Sequence, residues 1–218
     1  MNYKKIDLEQ WNRKEHFLHY RHNLQCGFSL TTKIDITVLK TVLTKHNLKL
    51  YPVLIYLIAK TVNYYPGSRM AIKNDELVIW DYINPAYTIF HPETETFSEL
   101  WSEYFEDFCS FLEGYNQDYQ QYKDNLNLSA KPNFPENHFC ISMIPWISFD
   151  GFNLNIANVR DYFPPIFTMG KYTHRIIKFC YPYPFKYTMQ PAMVFMLQEW
   201  SINSKSYVID FQVNYLNF

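Results

Sequence analysis

Residues 135–155 read PENHFCISMIPWISFDGFNLN. Two strand patterns lie in this one stretch. Phe139 to Ile144 is a short apolar run that enters Pro145-Trp146, as a buried strand enters a turn. Phe152, Leu154 and Ile156 alternate with Asn153, Asn155 and Ala157, the period-two pattern of a half-buried strand. The flanks extend the pattern. Ile166 to Tyr172 reads as another strand, and Lys131 to Asn137, with two prolines, as the longest loop.

Further upstream the period changes. Asp35 can cap a helix carrying Ile36, Leu39, Val42 and Leu43 on one face. Pro52 suits the first turn of a second helix, Val53 to about Tyr64, closed by Pro66-Gly67. That helix is apolar on most sides, which predicts burial. Met70 to Asp81 reads as two short strands around Asn74-Asp75, and Ala86 to His91 as a further strand. Thr96-Phe97-Ser98-Glu99 has capping-box form. It predicts a long helix reaching about Lys123, with Phe97, Leu100, Trp101, Tyr104, Phe108 and Leu112 on one face. Mixed helices and strands argue for α/β or α+β layers. No repeat and no linker interrupts the chain, so one domain over 1–218 is expected.

Composition narrows the function classes. With 218 residues the chain can bury a substantial core. Apolar residues make up 48% and aromatics 19%, which argues against disorder. A net charge of -1 gives no basic field for nucleic acid. Five glycines are present, and they form neither a G-x-G-x-x-G nor a G-x-x-x-x-G-K loop, so common nucleotide-binding signatures are missing. The opening MNYKKIDLEQW is charged rather than leader-like. The longest apolar stretch, Val53 to Ala59, is too short to span a bilayer. Cys26, Cys109, Cys140 and Cys180 are scattered, as expected of a reduced, cytoplasmic protein.

Three features invite chemical readings. His16, His19 and His22 are spaced three apart and share one helical face, but no nearby carboxylate or cysteine completes a zinc shell, so no metal site is expected. Ser142 sits between Ile141 and Met143 with no G-x-S-x-G elbow, which disfavours a hydrolase nucleophile. It fits either a backbone-bonding role or a hydroxyl donor to a developing oxyanion. Tyr20, Leu24, Cys26 and Phe28 form an apolar cluster that suits core packing or an aromatic pocket.

Seven runs taken together resemble one family. They are WNRKEHF (11–17), CGFSLTTKIDIT (26–37), YPVLIYLIA (51–59), RMAIKNDELVIWD (69–81), YTIFHPETETFSELWSEY (87–104), the stretch 135–155 quoted above and PIFTMGKY (165–172). In that order they resemble chloramphenicol acetyltransferases, most closely the Gram-negative type. The resemblance implies an α/β two-layer sandwich with a mixed sheet, of the CoA-dependent acyltransferase type. It implies a homotrimer with active sites at subunit interfaces. It also implies transfer of acetyl from acetyl-CoA, a co-substrate rather than a bound cofactor, to a hydroxyl of chloramphenicol. A histidine acts as general base, and the acceptor hydroxyl attacks the thioester directly.

By the same resemblance, Ser142 stabilises the oxyanion, and Arg13 supports the site by pairing with an aspartate of the histidine motif. Tyr20, Leu24, Cys26, Phe28, Thr88, Phe97, Phe152, Leu154, Ile166 and Thr168 match the antibiotic pocket. Tyr51, Trp146 and Tyr172 match positions near the coenzyme. Ala86 and Glu99 depart from the pattern: the closest relatives usually have a glutamine and a small side chain there.

After Tyr172 the resemblance stops. The family continues with a strand and an H-H-x-x-x-D-G motif that holds the base. This chain has THRIIKFCYPYPFKYTMQPAMVFMLQEW, with neither His-His nor Asp-Gly. Pro182 and Pro184 are expected to break a central strand. Reading back-translated triplets from the third base of each codon restores a familiar text. Met189-Gln190 forces an alanine codon and Met193-Val194 a glycine codon. Thr188 with Met189 permits the second histidine of the pair. The whole run permits KVLLPLSIQVHHAACDGFH. The segment from about Thr173 thus reads as an out-of-frame translation of the catalytic segment. The alternative is an inactive relative that binds ligand or partners an intact chain.

Overall fold

The computed structural model describes residues 2–24, 27–157, 159–173 and 176–184, with only the backbone at 28, 159 and 179–184. Its centre is a six-stranded mixed sheet built from β2 (Gly27–Asp35), β5 (Asn84–His91), β6 (Thr96–Trp101), β7 (His138–Ile144), β8 (Ile166–Gly170) and β9 (Ile176–Pro184). The order across it is β2-β9-β8-β7-β5-β6. β7 runs parallel to both β5 and β8, and the remaining pairs are antiparallel. A smaller antiparallel sheet joins β1 (Tyr3–Lys5), β4 (Glu76–Trp80) and β3 (Met70–Lys73).

One face of the large sheet is dry. Tyr87, Leu100, Phe139, Ile141, Phe167 and Met169 point into it and are buried. Helices α2 (Thr37–Lys45), α3 (Leu50–Tyr64) and α4 (Phe108–Tyr122) supply the other half of that core. Each large side chain removed from water here contributes about 1.5–3 kcal/mol. The expected helices 36–43 and 53–64 are present, α3 starting slightly earlier, at Leu50. Asp35 serves α2 as expected: its Oδ1 accepts from the Thr37 N–H at 2.8 Å. Asn74 and Asp75 take positive φ values of 51° and 62°, the turn that closes β3 onto β4.

A second cluster joins Phe17 of α1 (Lys14–Leu18) to Met70, Leu77 and Phe163. A π-helical turn, His19–Asn23, follows α1. Its Arg21 is buried and clamps two distant segments. Nη2 lies 2.6 Å from Asp75 and Nε 3.3 Å from Asp161, so the β3–β4 turn and the approach to β8 are held together.

Two expectations are corrected. Residues 96–101 form β6, not the start of a helix. Ser98 and Leu100 point inward while Phe97 and Glu99 take the other face, and the run pairs with β5 from Ala86↔Trp101 to His91↔Thr96. Cross-strand pairing overrides the local capping pattern. The helix begins at Phe108 instead, where the Asp107 side chain accepts from the Ser110 N–H at 2.7 Å.

Residues 151–156 form no strand. Their alternation is real, but among the described residues no neighbouring strand offers them a ladder. Pro182 lies within β9 and Pro184 is its last residue, and the pairing with β8 stops before both, in keeping with prolines interrupting a central strand. They have the same parity, so both missing N–H groups fall on one side of the strand. β8 flanks β9 only at Phe179 and Cys180, so the prolines lie beyond the doubly flanked part. There β9 pairs only with β2, and an edge of this kind tolerates proline wherever the missing N–H faces away from the partner.

Candidate active site

The other face of the large sheet is only partly covered and more polar. Because strand residues alternate, Ala86, Thr88, Cys140, Ser142, Ile166 and Thr168 share this face. Thr88 Oγ1 and Ser142 Oγ are 3.3 Å apart, and either can donate. Ser142 pairs in register with Thr168, which is buried. Three hydroxyls from three adjacent strands thus form a row across the sheet. A half-buried hydroxyl fixed on a rigid strand can donate to negative charge that develops above it. The structure brings Ser142, Thr88, Thr168 and Ile166 together as expected.

Tyr51 lies behind this row. Its hydroxyl donates to the Thr88 carbonyl oxygen at 3.2 Å, and its ring meets Tyr87 edge-on. Burial pushes its phenol above the usual range, so it remains a donor. Tyr51 therefore holds the Thr88 backbone from the core side while the Thr88 side chain faces Ser142. Tyr51→Phe removes that bond and is expected to lower stability by about 1 kcal/mol. An unchanged urea midpoint would show that the bond carries no weight.

The segment after β7 folds back over β8 at Gly170. The Lys171 N–H donates to the Ile147 carbonyl at 2.7 Å. A Cβ on Gly170 would stand 2.8 Å from the Phe149 ring and 3.1 Å from the Ile147 oxygen. No side chain fits without moving that crossing. Gly170→Ala is expected to cost about 1–3 kcal/mol through overpacking. Urea denaturation measures it, and a neutral result would mean that the crossing yields freely.

A second group neighbours the hydroxyl row. Glu99 pairs with Thr88 across β5 and β6. Its Oε1 lies 3.5 Å from the Cys140 Sγ, which donates to it. Burial, reinforced by the Glu99 charge, pushes the Cys140 thiol up to about 12, so the sulfur keeps its proton. Tyr162 contacts the same thiol, and burial raises its phenol as well. The alternation of 140 with 142 could have placed Cys140 in the site from sequence, but nothing local announced Tyr162.

The remaining expected residues are spread more widely. Phe97 and Trp146 are largely exposed; Phe97 pairs with Phe90, whose ring lies 4.8 Å from that of Trp146. Phe152 is half-buried beside Phe149, and Leu154 is exposed. Tyr172 is exposed with Lys40 Nζ 4.1 Å above its ring, and that ammonium lowers the phenol from its ordinary value. Tyr20 lies on the π-helical turn, edge-on to His19, and Leu24 follows it exposed. Arg13 caps α1. Cys26 and the Phe28 side chain lie outside the described residues.

No histidine among the described residues bonds to Ser142 or Thr88. His91 is buried on the core side, 2.7 Å from Ser98, whose hydroxyl donates to the Asn125 carbonyl. With that proton used, His91 Nε2 must carry the hydrogen between them. His138 Nδ1 bonds to the Pro135 carbonyl at 2.7 Å. Among the described residues no group of three or more His, Cys, Asp or Glu is placed to hold a metal. His174 and the positions around Thr188 and Met189 lie outside them. No helix among them is long and apolar enough to cross a membrane.

Residues 1–188 match the family described as chloramphenicol acetyltransferase. The chain is 53% identical over 172 residues to chloramphenicol acetyltransferase 2 of Escherichia coli, covering 79% of this chain and 81% of that protein. It is 54% identical over 172 residues to chloramphenicol acetyltransferase 3 of the same species, with the same coverage. Among solved structures, one of a chloramphenicol acetyltransferase matches with a TM-score of 0.79 at 18% identity, covering 92% of this chain and 99% of that one. The dihydrolipoamide acetyltransferase of Azotobacter vinelandii matches with a TM-score of 0.64 at 11% identity, covering 91% and 88%. The fold is the α/β architecture of these chloramphenicol and dihydrolipoamide acetyltransferase structures.

Proposed function

Given that this chain belongs to the chloramphenicol acetyltransferase family, an acetyl-CoA-dependent one, we propose that its site is built to move acetyl from acetyl-CoA to a hydroxyl of chloramphenicol. We propose also that the text beyond Tyr172 has lost the base for that reaction. The observation that carries the reading is the Ser142 hydroxyl on the partly covered sheet face, 3.3 Å from Thr88 and in register with Thr168.

The chemistry is a direct transfer. The base removes the acceptor proton as the acceptor oxygen attacks the thioester carbonyl carbon. The new C–O bond forms, Ser142 donates to the oxyanion, the C–S bond breaks, and the thiolate takes the proton. Thr88 is the neighbour that orients the Ser142 hydroxyl. In this reading Arg13 supports the site, and Tyr51, Trp146 and Tyr172 lie toward the coenzyme. The chain acts as one domain in a cytoplasmic homotrimer whose interfaces complete the sites. Inactivation of chloramphenicol then gives resistance.

The absence of H-H-x-x-x-D-G from the printed sequence favours a second reading for this exact chain. It is a damaged relative that still binds ligand or joins trimers with an intact chain. Release of CoA thiol in the presence of chloramphenicol decides between them. Turnover at the rate of an intact family member would overturn the lost-base proposal. Co-expression with an intact chain, followed by native mass measurement, tests the partner reading, and mixed trimers are its expected result.

A further inference from the structure

Among the described residues, Glu99 is the one acidic side chain that this face presents beside its hydroxyl row. It stands on β6, paired with Thr88 on β5. Ala86 lies two residues from Thr88 on the same face and pairs in register with Cys140 on β7. Ala86, fully buried, presents only a methyl above β5. The Glu99 side chain crosses over it and meets Cys140, with Oε1 and Sγ 3.5 Å apart. A glutamine at 86 would fill the path. The two departures noted in the sequence are therefore one feature: a short residue on β5 admits a long acidic one from β6.

The carboxylate is poorly satisfied where it lands. A thiol is a weak donor, and among the described residues no lysine, arginine or histidine pairs with Glu99. Cys140 stays protonated at neutral pH, since burial and the Glu99 charge hold its thiol at about 12. The half-buried carboxylate therefore meets a weak donor and partial hydration rather than a cation. The Glu99 carboxylate lands at Cys140, two residues from Ser142 along β7, about 7 Å at the backbone and within the span of a small aryl alcohol. A ligand whose hydroxyl lies above Ser142 can place a second group at Glu99.

We propose that Glu99 sets acceptor preference at this site, favouring small aryl alcohols that carry an ammonium group over neutral ones. This rests on the acceptor-site reading given above. The carboxylate supplies a charge-assisted hydrogen bond to the ammonium. It gives no such bond to a neutral amide and repels an anionic substituent.

The test uses binding by the chain as it stands, so it is independent of the missing base. Equilibrium dialysis gives Kd for chloramphenicol and for its deacylated amine, which keeps the nitrophenyl diol and carries an ammonium. The readout is the ratio of the two Kd values. Glu99→Gln is expected to shift that ratio about tenfold against the amine, the weight of a hydrogen bond to a charged group. Ala86→Gln, which leaves Glu99 in place but fills its path, is expected to shift it the same way. Circular dichroism confirms that each variant is folded. An unchanged ratio in both variants, with chloramphenicol still bound, overturns the proposal alone. Failure of the unmodified chain to bind either compound overturns the acceptor-site reading and this proposal with it.

Discussion

Restoring the second reading frame from about Thr173 onward is expected to raise acetyl transfer by about 10²–10⁴-fold over the present chain, the usual worth of a positioned general base. The acceptor hydroxyl is a weak nucleophile until its proton is taken. The row of Thr88, Ser142 and Thr168 contains only hydroxyls, and none of them is basic at neutral pH. The histidines whose contacts are defined, His91 and His138, are tied to Ser98 and to the Pro135 carbonyl. The other frame permits a His-His pair at the place the family resemblance demands, with forced alanine and glycine codons falling in the right order. Thiol release measures the gain. A frame-restored chain no faster than the printed one would sink the explanation. So would a source gene whose DNA neither departs from the printed frame nor gains activity when shifted.

The second large effect concerns Ser142 in the frame-restored chain. Ser142→Ala is expected to lower kcat by about 10²–10³-fold, as removing one oxyanion donor does. KM should move little, because a donor aimed at developing charge acts mainly in the transition state. Two features preorganise the hydroxyl. The strand β7 is flanked on both sides, and Thr88 stands 3.3 Å away with its own backbone held by Tyr51. A variant with unchanged kcat and a raised KM would assign Ser142 to binding instead.

Much of this architecture was legible because period and packing agreed. The α3 sequence is apolar on most sides and is buried on most sides. Asn74-Asp75 announced a hairpin, and the structure turns there. Residues 96–101 misled because a capping-box spelling is local, whereas the register with β5 depends on residues elsewhere in the chain. The segment 152–156 misled in the opposite sense. Its alternation was genuine, but a strand also needs a neighbour. Ser142 stood out through the motif around it, and Thr88 and Thr168 through family likeness. The reach of Glu99 over Ala86 depends on a side chain crossing a strand, which no spacing rule encodes.

The ladder of β9 bears on how a damaged gene behaves. Main-chain hydrogen bonds carry no record of which side chain they pass, and β9 pairs with β2 along nine positions. Catalysis depends on a few side-chain identities in the same region. A slip in the reading frame therefore falls unequally on the two. Under the frameshift proposed above, the scaffold keeps a partner for β2 while the chemistry loses its agent. For such a gene, the presence of the transcript, or even of the polypeptide, is a poor proxy for protection of the cell against the drug.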